Sequence, residues 1–140
     1  MSTRPLLLDA SALTAFIRKE PGGERVLQSL TTARREHLVS TIGLIEVEGT
    51  MVSDGTFTPE QVRSRIHQLG QLLTVVPFEI SAQRAASFYY ARRKPYDLSL
   101  GDALCLGTAE ALGADVMTAE QNWATLPDLP FTVELIRGEA

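Results

Sequence analysis

Cysteine is almost missing from this chain of 140 residues, where Cys105 stands alone. A single thiol excludes an internal disulfide framework and a cysteine-built zinc site. Histidine is nearly as scarce, with only His37 and His67, and neither has a neighbour of ligand type. Catalysis shared among several histidines is therefore disfavoured. Long apolar runs are lacking as well. Leu6-Leu7-Leu8 is stopped at once by Asp9, far short of the ~20 residues of a membrane helix and too short for the apolar region of a secretory signal. The expected compartment is the cytoplasm, with no membrane partner. The chain has no glycine-rich phosphate loop, no Gly-x-Ser-x-Gly elbow and no His-Glu-x-x-His motif. Nucleotide hydrolysis of the P-loop type and serine hydrolysis are disfavoured on that ground. Basic residues are outnumbered, 13 against 17 acids, for a net charge of −4. That balance argues against a general nucleic-acid coat, while a local basic patch and bound cations leave room for a nucleic-acid enzyme.

What remains is ordinary for a globular protein: 44% apolar and 21% charged residues, which argues against disorder. The length suits one domain over 1–140, with a core that needs no covalent staples. Short apolar runs alternate with longer amphipathic stretches. Strands are expected at 5–8, 37–40, 74–78, 116–118 and 131–136. Helices are expected at 11–19, 24–35, 42–53, from Thr58-Pro59-Glu60 to about residue 73, from a Ser81 cap to about 93, and at 99–112, with a short helix at 121–125. The Thr-Pro-Glu start supplies a capping hydroxyl, a proline at the first helical position and an acid; Gly113 ends the helix at 99–112. Strand alternating with helix means parallel pairing through right-handed crossovers. The expected fold is a single α/β domain, a central parallel sheet of four or five strands with helices on both faces. Ligands in such folds bind beyond the carboxyl ends of the strands.

Four acids fall at that rim. Asp9 follows the first strand, Glu46 lies one turn into the helix after the second, Asp102 lies in the first turn of the helix from Ser99, and Glu120 follows the fourth strand. Four carboxylates in one cleft repel each other unless a cation neutralises them. Hard divalent cations take oxygen ligands of this kind, and the chemistry best served is metal-assisted attack of water on a phosphodiester. Singly, each acid has a structural alternative. Asp9 suits a helix cap, Asp102 completes a capping box with Ser99, one of Glu46 and Glu48 suits a solvated face, and Glu120 suits the start of a short helix. The functional case rests on the four together.

Four segments carry a resemblance. Leu7-Leu8-Asp9-Ala10-Ser11-Ala12-Leu13, Ser40-Thr41-Ile42-Gly43-Leu44-Ile45-Glu46-Val47, Leu98-Ser99-Leu100-Gly101-Asp102-Ala103-Leu104-Cys105-Leu106 and Val116-Met117-Thr118-Ala119-Glu120-Gln121-Asn122-Trp123 resemble, in order and spacing, the acid-bearing segments of PIN-domain proteins. Within that family the chain is similar to the VapC-type toxin ribonucleases of type II toxin–antitoxin systems, over nearly its whole length. One departure stands out: Glu120 occupies the position where the family usually has aspartate after Thr-x.

The resemblance implies a Mg²⁺- or Mn²⁺-dependent endoribonuclease in which Asp9, Glu46 and Asp102 ligate or orient the cation, directly or through water, and Glu120 helps hold water or a second ion. It implies an RNA substrate (tRNA, rRNA or mRNA), a cognate antitoxin whose tail covers the cleft, and a toxin homodimer. Two alternatives stay open: a weakened PIN domain that binds RNA or protein without cutting, and a metal-dependent nuclease acting on another nucleic acid. Ser11 and Thr118 are candidates to hydrogen-bond a carboxylate or a phosphate oxygen, with capping or turn bonding as the alternative. Arg92, Arg93 and Lys94 form the densest basic run and are candidates for RNA phosphates, or else a solvated helix end. Arg18 and Lys19 are weaker candidates of the same kind. Trp123 is expected to anchor the short helix, Phe88, Tyr89 and Tyr90 to serve core and interface, Cys105 to lie in the core, Asp97 to turn a loop, and Asp115 to lie at the end of the sheet opposite the site.

Overall fold

The computed structural model describes residues 3–138. Leu6–Leu8 form β1, the middle strand of the sheet. On one side of it lie β2 (His37–Ser40) and β3 (Thr74–Val76); on the other lie β4 (Asp115–Thr118) and β5 (Val133–Leu135). The order is β3-β2-β1-β4-β5 and every pairing is parallel. Six α-helices complete the fold: α1 (Ala10–Arg18), α2 (Gly23–Thr32), α3 (Thr41–Ser53), α4 (Pro59–Gln68), α5 (Ile80–Ala91) and α6 (Leu100–Leu112). The expected α/β architecture is the one found, with five strands.

Alternation along the strands explains the two layers of helix. Leu6 and Leu8 of β1, Val39 of β2 and Met117 of β4 face a core shared with α1–α4. Leu7, Leu38 and Val116 face the opposite core, shared with α5, α6 and Trp123. Side chains that alternate by two feed both cores from the same strands. Each fully buried Leu contributes about 1.5–3 kcal/mol of burial energy.

Several element ends differ from the sequence expectation. α4 stops at Gln68, because Gly70 takes a φ of 53° and a 3₁₀ turn (Gly70–Leu72) follows. α2 stops at Thr32, where Ala33 turns to extended backbone. α5 begins at Ile80, so Ser81 lies inside the helix, and Glu79 stands at the cap without a side-chain bond. β3 and β5 keep only the three residues that have ladder partners. The Thr58 start is a full capping box with Gln61. Between α5 and α6 the backbones touch: a Cβ on Gly107 would lie 2.5 Å from the Ala86 nitrogen.

Asp115 lies at the amino end of β4, as expected, and is 1% exposed. Arg35 donates to its Oδ2 at 2.8 Å and to Glu134 at 2.8 Å, while the Thr132 N–H donates to Oδ1 at 2.9 Å. Arg35 also reaches the Arg4 carbonyl at 2.9 Å. This network joins the entrances of β1, β4 and β5, at the end of the sheet away from the four acids.

Candidate active site

The chain passes from β1 to β2 on one side, then returns to place β4 on the other side of β1. The crevice beyond the carboxyl ends of β1 and β4 is thus the point where strand order reverses. Asp9 stands there, its N–H donating to the Met117 carbonyl at 2.9 Å. Its carboxylate is 6% exposed and gathers three donors on one oxygen, Oδ2: the Ser11 N–H at 3.3 Å, the Ser11 hydroxyl at 2.7 Å and the Thr118 hydroxyl at 2.9 Å. The first is a helix cap; the two hydroxyls orient the group. The capping reading of Asp9 therefore holds, and these bonds leave Oδ1 out.

Ser11 and Thr118 do more than serve Asp9. The Ala119 N–H donates to the Ser11 hydroxyl at 2.9 Å and the Glu120 N–H to the Thr118 hydroxyl at 3.0 Å. Two side chains so tie the start of α1 to the segment after β4 and set where Glu120 begins. Asp102 lies in the first turn of α6, where its carboxylate accepts from the Ser99 N–H at 2.9 Å and its own N–H donates to the Ser99 hydroxyl at 3.0 Å. The capping box fixes this acid rather than competing with a role in the cleft.

Glu46 comes across from α3, which Ser40 caps through the Gly43 N–H at 3.0 Å. Its carboxylate rests on Gly101 of α6: a Cβ there would come within 2.1 Å of Oε2. Glu48 turns the other way and takes Arg63 at 3.0 and 3.1 Å. The ambiguity between the two glutamates is thereby resolved. Gly101 escaped the sequence reading, although a poor helix former in the first turn of a helix is a signal of close approach.

Burial, and after it the neighbouring acids, raises the proton affinity of Asp9, Glu46 and Glu120. Burial pushes the Glu46 carboxyl up to about 7, with Asp9, Asp102 and Glu120 adding their negative charge. Glu120 is raised by burial, then by Asp102 and Asp9, against a smaller pull from Arg137. Asp9 is raised by burial, which outweighs the stabilising bonds from Ser11 and Thr118. The buried Cys105 thiol is pushed up by burial first and then by Asp9, Glu46 and Asp102. It is a core thiol on the floor of an acidic cleft, and a thiol held protonated is a poor nucleophile.

An uncompensated set of hard oxygen donors is chemically suited to a divalent cation. Among the described residues, however, no three His, Cys, Asp or Glu side chains form by themselves a group that could hold a metal ion. The donor set therefore fits an ion bound through one or two carboxylates and completed by water and substrate oxygens, the habit of Mg²⁺, and not a closed protein cage.

Residues outside the cleft fall variously. Arg92 and Arg93 do not act as one run with Lys94. Arg92 lies over the Phe88 ring at 3.6 Å and Arg93 over the Tyr90 ring at 4.3 Å, and each bonds a carbonyl of the last turn of α5. Arg18 is engaged by Asp54 and Glu20, and Lys19 ends α1 with a φ of 58°. Trp123 is fully buried and anchors the turn that follows Glu120. Of the three aromatics in α5 only Tyr89 enters the core, its hydroxyl bonded to Glu110 at 2.7 Å. Asp97 is an exposed turn residue with a φ of 59°.

The family model of the PIN domain matches residues 6–129. The fold is similar to VapBC2 from Rickettsia felis, solved bound to a DNA fragment from its promoter, with a TM-score of 0.70, 16% identity and coverage of 94% of this chain and 98% of that one. It is similar also to DNA-bound VapBC from Salmonella typhimurium, with a TM-score of 0.70, 17% identity and coverage of 96% and 99%. A third likeness is to VapC20 from Mycobacterium tuberculosis, described as a toxin that cleaves the sarcin–ricin loop, with a TM-score of 0.66, 12% identity and coverage of 86% and 94%. No curated protein matches by sequence. Among the described residues no helix is long and apolar enough to cross a membrane.

Proposed function

The chain belongs to the PIN-domain family, and from that premise we propose that it is a metal-dependent endoribonuclease, the toxin of a toxin–antitoxin pair. The observation that supports this reading is the approach of Asp9, Glu46, Asp102 and Glu120 at the switch point of the sheet, where burial first and neighbouring acids second raise the proton affinity of Asp9, Glu46 and Glu120. One or two of Asp9, Glu46 and Asp102 would ligate Mg²⁺ or Mn²⁺ directly, the remaining acids acting through its water, with Glu120 orienting water at the edge. When bound, such an ion supplies charge neutralisation at a phosphoryl oxygen and a more acidic water.

The chain's own residues supply the rest. Ser11 and Thr118 hold Asp9 in one rotamer, leaving Oδ1 outside their bonds. The Ser99 box holds Asp102 at the mouth of α6, and the partial positive charge of that helix start favours a phosphate there. Glu46 reaches across from α3 to close the cleft over Gly101. Glu120 keeps the charge of the usual aspartate with one more methylene of reach. The toxin part of the proposal draws support from neighbours solved as toxin–antitoxin complexes. It extends to a cognate antitoxin, to a homodimer and to a cytoplasmic setting. An arginine from the antitoxin would suit the clustered carboxylates.

The test is cleavage of a mixed tRNA and rRNA pool by purified protein with Mn²⁺ or with EDTA, beside Asp9→Asn and Asp102→Asn. Discrete fragments that need the metal and both aspartates are expected. Intact RNA in the presence of folded, antitoxin-free protein would overturn the ribonuclease assignment.

A further inference from the structure

A second concavity, of about 900 Å³, runs beside α5. Its size is near the top of the roughly 300–1,000 Å³ range of ligand sites. One wall is the α5 face that carries Arg84 and Phe88, four apart and so stacked along one side of the helix, followed by Arg92 at its C-cap. The other wall is the loop 126–130, and one end is closed by Lys94 and Tyr96. Phe88 is 51% exposed, with the Arg92 guanidinium 3.6 Å from its ring centre. Arg84 and Lys94 make no ion pair among the described residues. Of the two acids in the lining, Glu110 is engaged by the Tyr89 hydroxyl, and Asp128 lies on the opposite loop.

The groove adjoins the acid cleft. Asn122, two residues past Glu120, donates to the Tyr96 carbonyl at 2.8 Å. Leu98 lines the groove and leads directly into Ser99 and the helix of Asp102. Residues 96–98 thus connect the lining of the groove to the segments that carry Asp102 and Glu120. Aromatic rings set in a positively charged groove are the means by which single strands are bound without regard to sequence, and here a base would stack on the Phe88–Arg92 pair, since Arg92 already covers one face of the ring. An isologous contact with a second copy would instead bring like cations of the two α5 faces into one interface, which is unfavourable.

We propose that the α5 groove, with Phe88, Arg84 and Lys94, holds an unpaired stretch of RNA flanking the bond to be cut. This rests on the nuclease reading and adds to it a binding site that the acids do not provide. It also revises the expectation for Phe88, which serves as a stacking platform and not as core.

Fluorescence anisotropy of a short labelled single-stranded RNA of mixed sequence, with EDTA to prevent cutting, tests the proposal. Phe88→Ala should weaken binding about tenfold, the scale of one stacked base. Arg84→Ala and Lys94→Ala should each weaken it several-fold and lower the slope of log affinity against log salt by about one. Arg84→Lys should restore most of the binding. Asp9→Asn should abolish cutting and keep RNA affinity. Folded groove variants that bind as tightly as the unaltered protein would overturn this site and leave the nuclease reading standing. So would Phe88→Ala dissociating a dimer in sedimentation with RNA affinity unchanged, since the face would then belong to self-association. An unaltered protein that cuts no RNA with Mn²⁺ and binds none would overturn the nuclease reading and the groove together.

Discussion

Glu46 titrates near 4.5 in the unfolded chain and near 7 in the folded one, because burial and three neighbouring acids oppose its charge. Between those values the folded state holds more protons than the unfolded state. Stability therefore falls as pH rises through that window. Urea melts without divalent ions should show the loss between about pH 5 and pH 8. Glu46→Gln should flatten that slope and be more stable at about pH 8 by ~1–2 kcal/mol, a figure discounted for the half-open position of the group. The same variant should lose RNA cleavage, so stability and activity would move in opposite directions. Adding Mg²⁺ at about a hundred times its dissociation constant should stabilise the unaltered protein by about 2.7 kcal/mol, and EDTA should remove the gain. The sequence placed all four acids at one rim through nothing more than strand ends and helix starts. It could not tell whether Ser11 and Thr118 would bond their own turns or reach Asp9, because the contact between Thr118 and Asp9 spans the two central strands.

Two glycines of α6 separate function from folding at the level of the element. A Cβ on Gly101 would meet the carboxylate of Glu46, the free end of a flexible side chain. Gly101→Ala should therefore push Glu46 aside, lower cleavage by an order of magnitude or more, about 1.4 kcal/mol of barrier per tenfold, and leave the melting temperature nearly unchanged. A Cβ on Gly107 would meet the backbone of Ala86, which cannot turn away. Gly107→Ala should destabilise by about 1–3 kcal/mol as an overpacked helix contact, with less effect on turnover per folded molecule. Chemical denaturation beside single-turnover cleavage distinguishes the two. Helix starts were readable because they are local chemistry: Thr58-Pro59 and Ser99…Asp102 carry their own donors and acceptors. The ends of α4 and α2 were not, since Gly70 and Ala33 break the helix where the chain must turn toward a strand.

On the scale of the whole molecule, the sheet is clamped at one end and used at the other. Asp115 and Arg35 are buried together at the amino ends of the strands, with Glu134 and Arg4 beside them. Removing Arg35 takes one cation from the buried Asp115 but leaves Arg4 and the Thr132 N–H beside it. Arg35→Ala should therefore cost less than the loss of a sole partner, about 1–3 kcal/mol in urea unfolding, while the metal response of what remains folded is retained. The acids at the carboxyl ends make the opposite trade, crowding carboxylates whose charge the proposed cation would neutralise. Alternating strands and helices were enough to expect a parallel α/β sheet. The order β3-β2-β1-β4-β5 was not, because a strand's neighbours are selected by which faces the crossover helices cover, and several orders satisfy the same local pattern.

The sequence by itself determined the elements and a sheet covered by helices on both faces, and it pointed to the four acids as candidates, since periodicity, caps and strand ends are properties of neighbours along the chain. Only the tertiary structure decided that β4 returns beside β1, which brings Thr118 onto Asp9. It decided too that Glu46 and not Glu48 enters the cleft, because Gly101 leaves room for one carboxylate and Arg63 draws off the other. And it decided that the basic run of α5 divides, Arg92 and Lys94 to the groove and Arg93 to Tyr90. Those choices depend on space and charge contributed by segments far away in sequence, and no local pattern encodes them.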